Sequence, residues 1–275
     1  MKKYFITYGD EKFTKAKERI LFEASNVSWF DSVQSYGPRD ISQSLKDTGL
    51  MDIPRGGGLW AWKPDIILSV LENIDDGDIL VYADSGCTIQ PCKEWKRIDQ
   101  KLENHDIIAQ RIYQSTEKWT RKEIIQMFDA NPDGWEKCLQ FCATVIILKK
   151  TEFSLSLIKE WRDYVISNPE HIKDVTPEER HYQHRFFYEN RHDQSIYSAL
   201  IYKYLNTRKI LSQWERIEDY DPISLQAIRA TRLRNGERDG RIHFKEILKR
   251  FIKVAFFRSY YSFNFNRERF ILSFR

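Results

Sequence analysis

The sequence predicts an α/β fold with a mainly parallel, doubly wound sheet flanked by helices, followed by a basic amphipathic helical tail. Apolar runs of strand length alternate with segments of helical periodicity over residues 4–204, and strand–helix alternation of this kind favours a parallel sheet. The tail is predicted from the uneven distribution of charge along the chain. We therefore expect one domain at 1–228, and a linker with the tail at 229–275.

The elements of the first half are predicted from apolar patterns and turn residues. Tyr4–Tyr8 is β-branched and aromatic and ends at a Gly-Asp pair, which is typical of a strand. Residues 12–25 have apolar side chains at helical spacing, and Phe30–Tyr36 is predicted as a second strand. Proline suits the first turn of a helix, so we expect a helix from Pro64 to about Asn73. Asp78–Tyr82 is then a buried strand.

The second half continues the alternation. We predict strands at Asp106–Tyr113 and Ala143–Leu148, helices at Arg121–Phe128, Glu152–Ile166 and Asp193–Tyr204, a turn at Asn131–Gly134, and a polar loop over 168–190.

A single aspartate, Asp84, lies two residues after the end of the strand predicted at Asp78–Tyr82. Open α/β sheets bind their ligands beyond the carboxyl ends of the strands. A carboxylate there, with a lysine and backbone amides nearby, suits a phosphorylated ligand and its metal ion. Taken alone, Asp84 is also explained as a turn or helix-capping residue.

The segment Arg55–Pro64 combines three glycines with Trp60, Trp62 and Lys63. Glycine allows the backbone to approach a ligand closely, and a lysine can meet phosphate as a point charge. The two tryptophans either line a sugar or base pocket or belong to the core.

Three segments carry a family resemblance. Tyr82–Gly86 (Tyr-Ala-Asp-Ser-Gly) resembles the Asp-x-Asp motif of sugar-nucleotide glycosyltransferases of the GT-A fold, which is Rossmann-like. Arg55–Pro64 resembles the Gly-x-Trp-x-Trp-Lys-Pro segment of bacterial capsule and O-antigen glycosyltransferases. His192–Ser195 (His-Asp-Gln-Ser) resembles the Asp-Gln pair that opens a late helix in several GT-A families. The resemblance covers roughly 3–205, and the motif is degenerate because Gly86 replaces the second aspartate.

The resemblance implies transfer of a hexose, galactose or galactofuranose first, from a UDP-sugar to a lipid-linked or saccharide acceptor in surface polysaccharide synthesis. It implies a divalent cation, Mn²⁺ or Mg²⁺, at Asp84, with His192 completing the coordination shell that Gly86 leaves incomplete.

Asp84 and Asp193 are the implied catalytic residues. Asp193 takes a proton from the acceptor if the enzyme inverts and hydrogen-bonds the donor sugar if it retains. As alternatives, His192 is a capping or packed histidine and Asp193 is a helix cap.

The resemblance also assigns binding residues. The implied donor contacts are Thr7, Tyr8, Gly9, Gly57, Trp60, Trp62, Lys63, Asp84, Ser85 and Gln194, with Tyr8 stacked on uracil; the implied acceptor contacts are Trp119, Gln140 and Arg191.

Basic residues are concentrated at the end of the chain. The net charge is +4, yet 243–275 holds eight Lys/Arg and two Glu, so the remaining residues are slightly acidic. Residues 243–258 form a basic amphipathic pattern, which either packs on the body or binds an anionic membrane surface. An acidic body without a basic stripe argues against nucleic-acid binding.

The expected location is the cytoplasm, peripherally at the inner face of the cell membrane. The start of the chain turns polar too early for a signal peptide, and no run approaches the ~20 apolar residues of a membrane span. Two other functions remain open: a non-catalytic sugar-nucleotide-binding scaffold in a polysaccharide assembly complex, and a nucleotidyltransferase or sugar-nucleotide hydrolase.

Overall fold

Nine strands are present in the computed structural model, which describes residues 1–128, 138–215, 217, 226–233 and 252. In chain order they are β1 Lys3–Tyr8, β2 Ser32–Tyr36, β3 Ile79–Ala83, β4 Thr88–Ile89, β5 Ile107–Ser115, β6 Leu139–Phe141, β7 Val145–Lys149, β8 Ile210–Trp214 and β9 Ile228–Arg229.

Ten helical segments connect or follow these strands in the described ranges. They are α1 Thr14–Ser25, α2 Gln43–Lys46, α3 Gly56–Leu59, α4 Trp62–Leu71, α5 Glu94–Asn104, α6 Thr116–Trp119, α7 Lys122–Met127, α8 Glu152–Ser167, α9 Pro169–Ile172 and α10 His192–Tyr204. Short 3₁₀ turns lie at Glu11–Phe13, Pro38–Asp40, Leu50–Asp52, Arg180–Tyr182 and Leu205–Thr207.

The large sheet has seven strands in the order β2-β1-β3-β7-β5, with β6 and β8 also paired to β5. β1 pairs in parallel with β2 and β3, and β5 pairs in parallel with β8. β7 is antiparallel to β3 and β5, and β6 is antiparallel to β5. Five of the seven strands therefore point the same way, and the predicted mainly parallel α/β sheet is confirmed. β4 and β9 form a separate antiparallel pair.

Helices cover both faces of this sheet, because its central strands are apolar on both sides. Phe5 and Val81 pack in one cluster with residues of α1 and α5. Their chain neighbours Ile6 and Leu80 face the opposite way and pack with residues of α4, α8 and α10. The core is thus split by the sheet, and the ends of the central strands remain available for loops that carry polar side chains.

The predicted elements differ from the observed ones mainly at their ends, and α5, β6 and β8 have no predicted counterpart. The helix expected from Pro64 begins two residues earlier, at Trp62, which places Lys63 in its first turn. The predicted loop at 168–190 contains α9 and a 3₁₀ turn, Arg180–Tyr182. The expectation of a continuous loop is therefore wrong in part. The short helix begins at Pro169. Proline has no backbone N–H, and the N–H of the first residue of a helix has no partner within the helix, so proline is well tolerated there.

The predicted turn at Asn131–Gly134 and the predicted tail helix at 243–258, apart from Ile252, lie outside the described residues. Near the expected domain boundary at 228/229, β9 spans both sides and pairs with β4.

Candidate active site

A buried lysine joins two aspartates from distant parts of the chain. The Nζ atom of Lys63 lies 2.7 Å from Oδ2 of Asp193 and 3.4 Å from Oδ1 of Asp84, and it donates a hydrogen bond of 3.0 Å to the carbonyl of Ala143. The side chains of Lys63 and Asp193 are 3% and 6% exposed, whereas that of Asp84 is 31% exposed. The array therefore has a buried inner part and one carboxylate that reaches the surface.

The geometry of the array follows from three local elements. Lys63 lies in the first turn of α4, Asp84 directly follows β3, and Asp193 is the second residue of α10. A lysine ammonium has three N–H donors, and three oxygens surround this one within 3.4 Å. Lys63 was expected to meet phosphate; in the structure its charge holds the two carboxylates at a fixed spacing.

Burial and charge act against each other in this array. Burial disfavours the charged form of Lys63, but the carboxylates of Asp193 and Asp84 outweigh this and hold the lysine pKa above its usual value. Burial raises the pKa of Asp193, and the contact with Lys63 opposes that rise. The ammonium of Lys63 is therefore a permanent positive charge at the carboxyl end of β3.

Asp84 is oriented by a tyrosine. The hydroxyl of Tyr82 donates a hydrogen bond of 2.6 Å to Oδ1 of Asp84. Burial, followed by the charge of Asp84, raises the tyrosine pKa well above its usual value, so the phenol stays protonated and remains a donor. One oxygen of Asp84 is thus held by Tyr82 and Lys63.

The loop after Asp84 is anchored by Arg19 of α1. Its guanidinium donates to the carbonyls of Ser85 and Cys87 at 3.0 and 2.9 Å. Ser85 is buried, and Arg19 contacts it through its main-chain carbonyl. The hydroxyl of Thr7 donates to the carbonyl of Ala83 at 2.8 Å, which fixes the end of β3 against β1.

Gly86, the position of the missing second aspartate, is covered by the segment 231–233. Its carbonyl accepts hydrogen bonds of 3.0 Å from the hydroxyl of Thr231 and the amide of Leu233. A Cβ atom at position 86 would lie 3.3 Å from Cα of Arg232. The glycine therefore allows a close crossing of two chain segments, and a side chain there would have to displace backbone.

The glycine-rich segment, named α3 above, is a left-handed turn and not a regular α-helix. Gly56, Gly57, Gly58, Leu59 and Trp60 all have φ values between 55° and 100°. Left-handed backbone costs an ordinary residue roughly 1–2 kcal/mol, and two of the five are not glycine. A Cβ at position 58 would also meet Cε of Met51 at 1.7 Å. The left-handed backbone thus favours glycine at these positions, and the turn ends at the start of α4, where it sets the position of Lys63.

The two tryptophans of this segment stack on different partners. The ring of Trp62 lies on that of Tyr8, with centroids 3.8 Å apart, and its indole N–H donates to the carbonyl of Gly56 at 3.0 Å. Trp60 stacks on the imidazole of His192 at 5.6 Å. In this structure one face of Tyr8, the residue expected to stack on uracil, is covered by Trp62. Gly9, the next residue, donates its amide to the carbonyl of Tyr36 at 3.2 Å.

His192 belongs to a cluster that sequence analysis missed. Nε2 of His192 lies 3.6 Å from Oδ1 of Asp174, and one ligand atom each of Asp174, Glu189 and His192 lie within 4.8 Å of one another. Arg55 forms ion pairs with both Asp174 and Glu189. The two residues expected to share a cation, Asp84 and His192, are thus in different described clusters.

A glutamine network lies beside Asp193. Nε2 of Gln194 donates to Oε1 of Gln140 at 2.7 Å and to Oε1 of Gln114 at 3.2 Å. Gln140 in turn donates to the carbonyl of Trp119 at 3.0 Å. Arg191 places its guanidinium 4.1 Å from the centroid of the Trp119 ring. The three residues expected to contact an acceptor are therefore neighbours of one another and of α10.

The structure brings most of the predicted site residues to one end of the sheet and adds several that the sequence did not reveal. The added residues are Gln114, Asp174 and Glu189; Arg55 and Tyr82 already belong to segments that carry the family resemblance, and Arg19 is a basic candidate from the sequence. No local pattern marks Asp174 or Glu189, because each lies in a polar segment rich in charge.

No protein-family model and no curated protein matches the chain. Among solved structures, it is similar to the glycosyltransferase GlyE of Streptococcus pneumoniae, with a TM-score of 0.41 and 10% identity over 78% of this chain and 45% of that one. It therefore spans less than half the length of GlyE.

Two further similar structures have closer lengths. An active-site mutant of LgtC has a TM-score of 0.42 and 15% identity over 92% of this chain and 95% of that one. Mouse xyloside xylosyltransferase 1 has a TM-score of 0.39 and 8% identity over 78% and 85%. At these scores and identities, the likeness identifies no donor, acceptor or site residue.

Proposed function

We propose that this chain is a sugar-nucleotide-dependent glycosyltransferase. It would transfer a hexose from a UDP-sugar, with galactose in pyranose or furanose form favoured, to a lipid-linked or saccharide acceptor in surface polysaccharide synthesis. The observation that carries the proposal is the array in which Lys63 holds Asp84, at the end of β3, beside Asp193, at the start of α10. A cleft at the carboxyl ends of parallel strands is where such a fold binds ligands.

The residues of the array suit different parts of a donor. Asp84 presents a carboxylate that is 31% exposed, and Lys63 supplies a positive charge 3.4 Å from it. Preorganised charge of this kind stabilises negative charge that develops on a leaving group. Asp193 is buried beside Lys63 and adjoins Gln194, and its proposed role is to receive a hydroxyl of the donor sugar or of the acceptor.

A divalent cation would supply further charge neutralisation of a diphosphate leaving group. In the described ranges, no other His, Cys, Asp or Glu joins Asp84 in a group of three potential ligands, and Gly86 offers no side chain. A Mn²⁺ or Mg²⁺ ion would thus be held by Asp84 together with the bound donor. We expect cation binding there to depend on nucleotide.

Nucleotide binding tests the proposal directly. UDP is expected to raise the melting temperature of the wild-type protein more than GDP, CMP or dTDP does, and Mn²⁺ is expected to increase the effect of UDP. The Asp84→Asn variant should lose the Mn²⁺-dependent part, because the amide carries no charge. Asp76→Asn is a matched control, since the side chain of Asp76 is 89% exposed and lies away from the array.

The absence of a shift with every nucleotide would contradict a sugar-nucleotide site. A shift with UDP but not with added Mn²⁺ would support the site and remove the cation from the proposal.

A non-catalytic scaffold is the second candidate, and the covering of Gly86 by residues 231–233 favours it. Donor binding without transfer to any of a panel of acceptors would support the scaffold. Formation of pyrophosphate, or of free sugar without an acceptor, would indicate a nucleotidyltransferase or a hydrolase.

A peripheral membrane location, at the cytoplasmic face, is the remaining part of the proposal. In the described ranges, no helix has both the length and the hydropathy of a membrane span.

Deletion of 243–275 is expected to reduce sedimentation with anionic liposomes, because eight basic residues are lost and each contributes about 1 kcal/mol near such a surface. Donor binding should be retained. Equal sedimentation of the full and shortened chains would contradict membrane binding through the tail.

A further inference from the structure

We propose that Asp174, Glu189 and His192 form a second cation site, separate from Asp84, which binds a first-row divalent transition metal such as Zn²⁺. The proposal goes beyond the proposed glycosyl transfer and does not depend on it.

The imidazole of His192 is oriented by a backbone hydrogen bond so that its other nitrogen can bind a metal ion. Its Nδ1 atom lies 2.7 Å from the carbonyl oxygen of Ile172; since a carbonyl can only accept, Nδ1 carries the hydrogen. Nε2 therefore has a free lone pair in the neutral ring, and burial lowers the histidine pKa, which favours that ring. This arrangement, with one nitrogen donating to a backbone carbonyl, is the usual support of a metal-bound histidine.

The free nitrogen is buried and points into the cluster. His192 is 2% exposed, and its Nε2 atom has no hydrogen-bond partner. A buried polar atom without a partner is uncommon and costs free energy. The atom facing it is Oδ1 of Asp174, at 3.6 Å, which is too far for a hydrogen bond.

The spacing of the three groups suits one ion. Ligands about 2.1 Å from a tetrahedral ion lie about 3.4 Å from one another. The three ligand atoms here lie within 4.8 Å of one another, so small rotations of two partly exposed carboxylates complete the geometry. One imidazole and two carboxylates favour Zn²⁺, Co²⁺ or Mn²⁺ over Mg²⁺ and Ca²⁺.

The backbone around the cluster is held firmly. The side-chain amide of Asn190 donates to the carbonyls of His171, Ile172 and Lys173 at 3.1, 3.3 and 3.1 Å, which fixes the segment leading to Asp174. Trp60 stacks on the imidazole. His192 itself has a φ of 50°, a conformation that is costly for a residue with a Cβ and is typical of functional positions.

In this structure Arg55 neutralises the carboxylates of Asp174 and Glu189 by forming ion pairs with both. Its guanidinium bonds both oxygens of Asp174, at 3.0 and 3.1 Å, and pairs with Glu189. The arginine side chain is 44% exposed, so it can leave towards solvent. A metal ion and Arg55 would therefore compete for the same two carboxylates, and the arginine lowers the apparent metal affinity.

Titration of the full chain with Co²⁺, followed by its visible absorption and without nucleotide, tests the proposal. We expect one equivalent to bind and to be displaced by Zn²⁺ but not by Mg²⁺. Asp174→Asn should weaken binding by at least about tenfold, the lower end of the loss seen for groups that only support a ligand. Arg55→Gln should strengthen binding, because the competing cation is removed.

Two controls separate this site from others. Glu170→Gln changes a 72% exposed carboxylate in the same segment and should leave Co²⁺ affinity unchanged, as should Asp84→Asn. His192→Phe retains an aromatic ring next to Trp60 and should abolish the absorption bands. Absence of Co²⁺ binding in both the wild type and Arg55→Gln would overturn the proposal, as would equal affinity in the wild type, Asp174→Asn and His192→Phe.

Discussion

Asp193→Asn is expected to reduce sugar transfer by about 10²–10⁴-fold, the range that a positioned acid–base group contributes, and to leave the fold intact. The carboxylate lies 2.7 Å from Nζ of Lys63 and is 6% exposed. An amide has nearly the same shape, but it carries no charge and cannot accept a proton. The measurement is the rate of sugar transfer from a sugar donor whose nucleotide raises the melting temperature of the wild-type protein. Circular dichroism and urea unfolding check that the variant is folded.

The same assay separates the two roles left open for Asp193. A fall in kcat with unchanged KM for the donor indicates a group that acts only in the transition state, whereas a rise in KM indicates donor binding. Wild-type turnover by a folded Asp193→Asn protein would contradict the site assignment. Asp76→Asn again serves as the exposed control.

Lys63→Met is expected to have the largest effect on stability, with a loss of about 3–5 kcal/mol in the free energy of unfolding. Methionine is of similar length, so the main loss is charge. The variant leaves Asp193 buried without its partner, and the burial that already raises the pKa of this carboxyl then acts unopposed by Lys63. Transfer should also be lost, because Asp84 and Asp193 lose their common contact. Urea unfolding at neutral pH measures the change.

A double-mutant cycle identifies the cause of that loss. Lys63→Met combined with Asp193→Asn removes both charges, so the double variant should be more stable than Lys63→Met alone. Additive losses would show that Lys63 stabilises the protein through packing or through its bond to the carbonyl of Ala143, and would contradict the ion-pair explanation.

The glycine-rich segment illustrates how far sequence patterns reach. Its composition marks 55–64 as unusual and predicts a close approach of backbone to ligand. The structure shows a left-handed turn from Gly56 to Trp60, a conformation that favours glycine because it has no Cβ. Both uses select glycine, so composition alone does not distinguish them.

Gly86 shows the same limit. The sequence identifies it only as the residue that replaces an aspartate. The contacts of its carbonyl with Thr231 and Leu233 join positions about 145 residues apart. No local signal marks such a crossing, because the residues that make it do not follow any periodic pattern.

Sequence patterns predict β1, β2, β3, β5 and β7, helices α1, α4, α7, α8 and α10, and the position of Asp84 at the end of β3, but they do not predict α5, β6 or β8. These follow from periodicity and turn residues, which act over a few neighbours. The side chains that meet are known from the folded structure alone: Lys63 contacts Asp193, and Arg55 contacts Asp174 and Glu189, which lie 119 and 134 positions further along the chain. Long-range pairing depends on how the elements pack, and the free energy of burying a charge depends on the partner that packing provides.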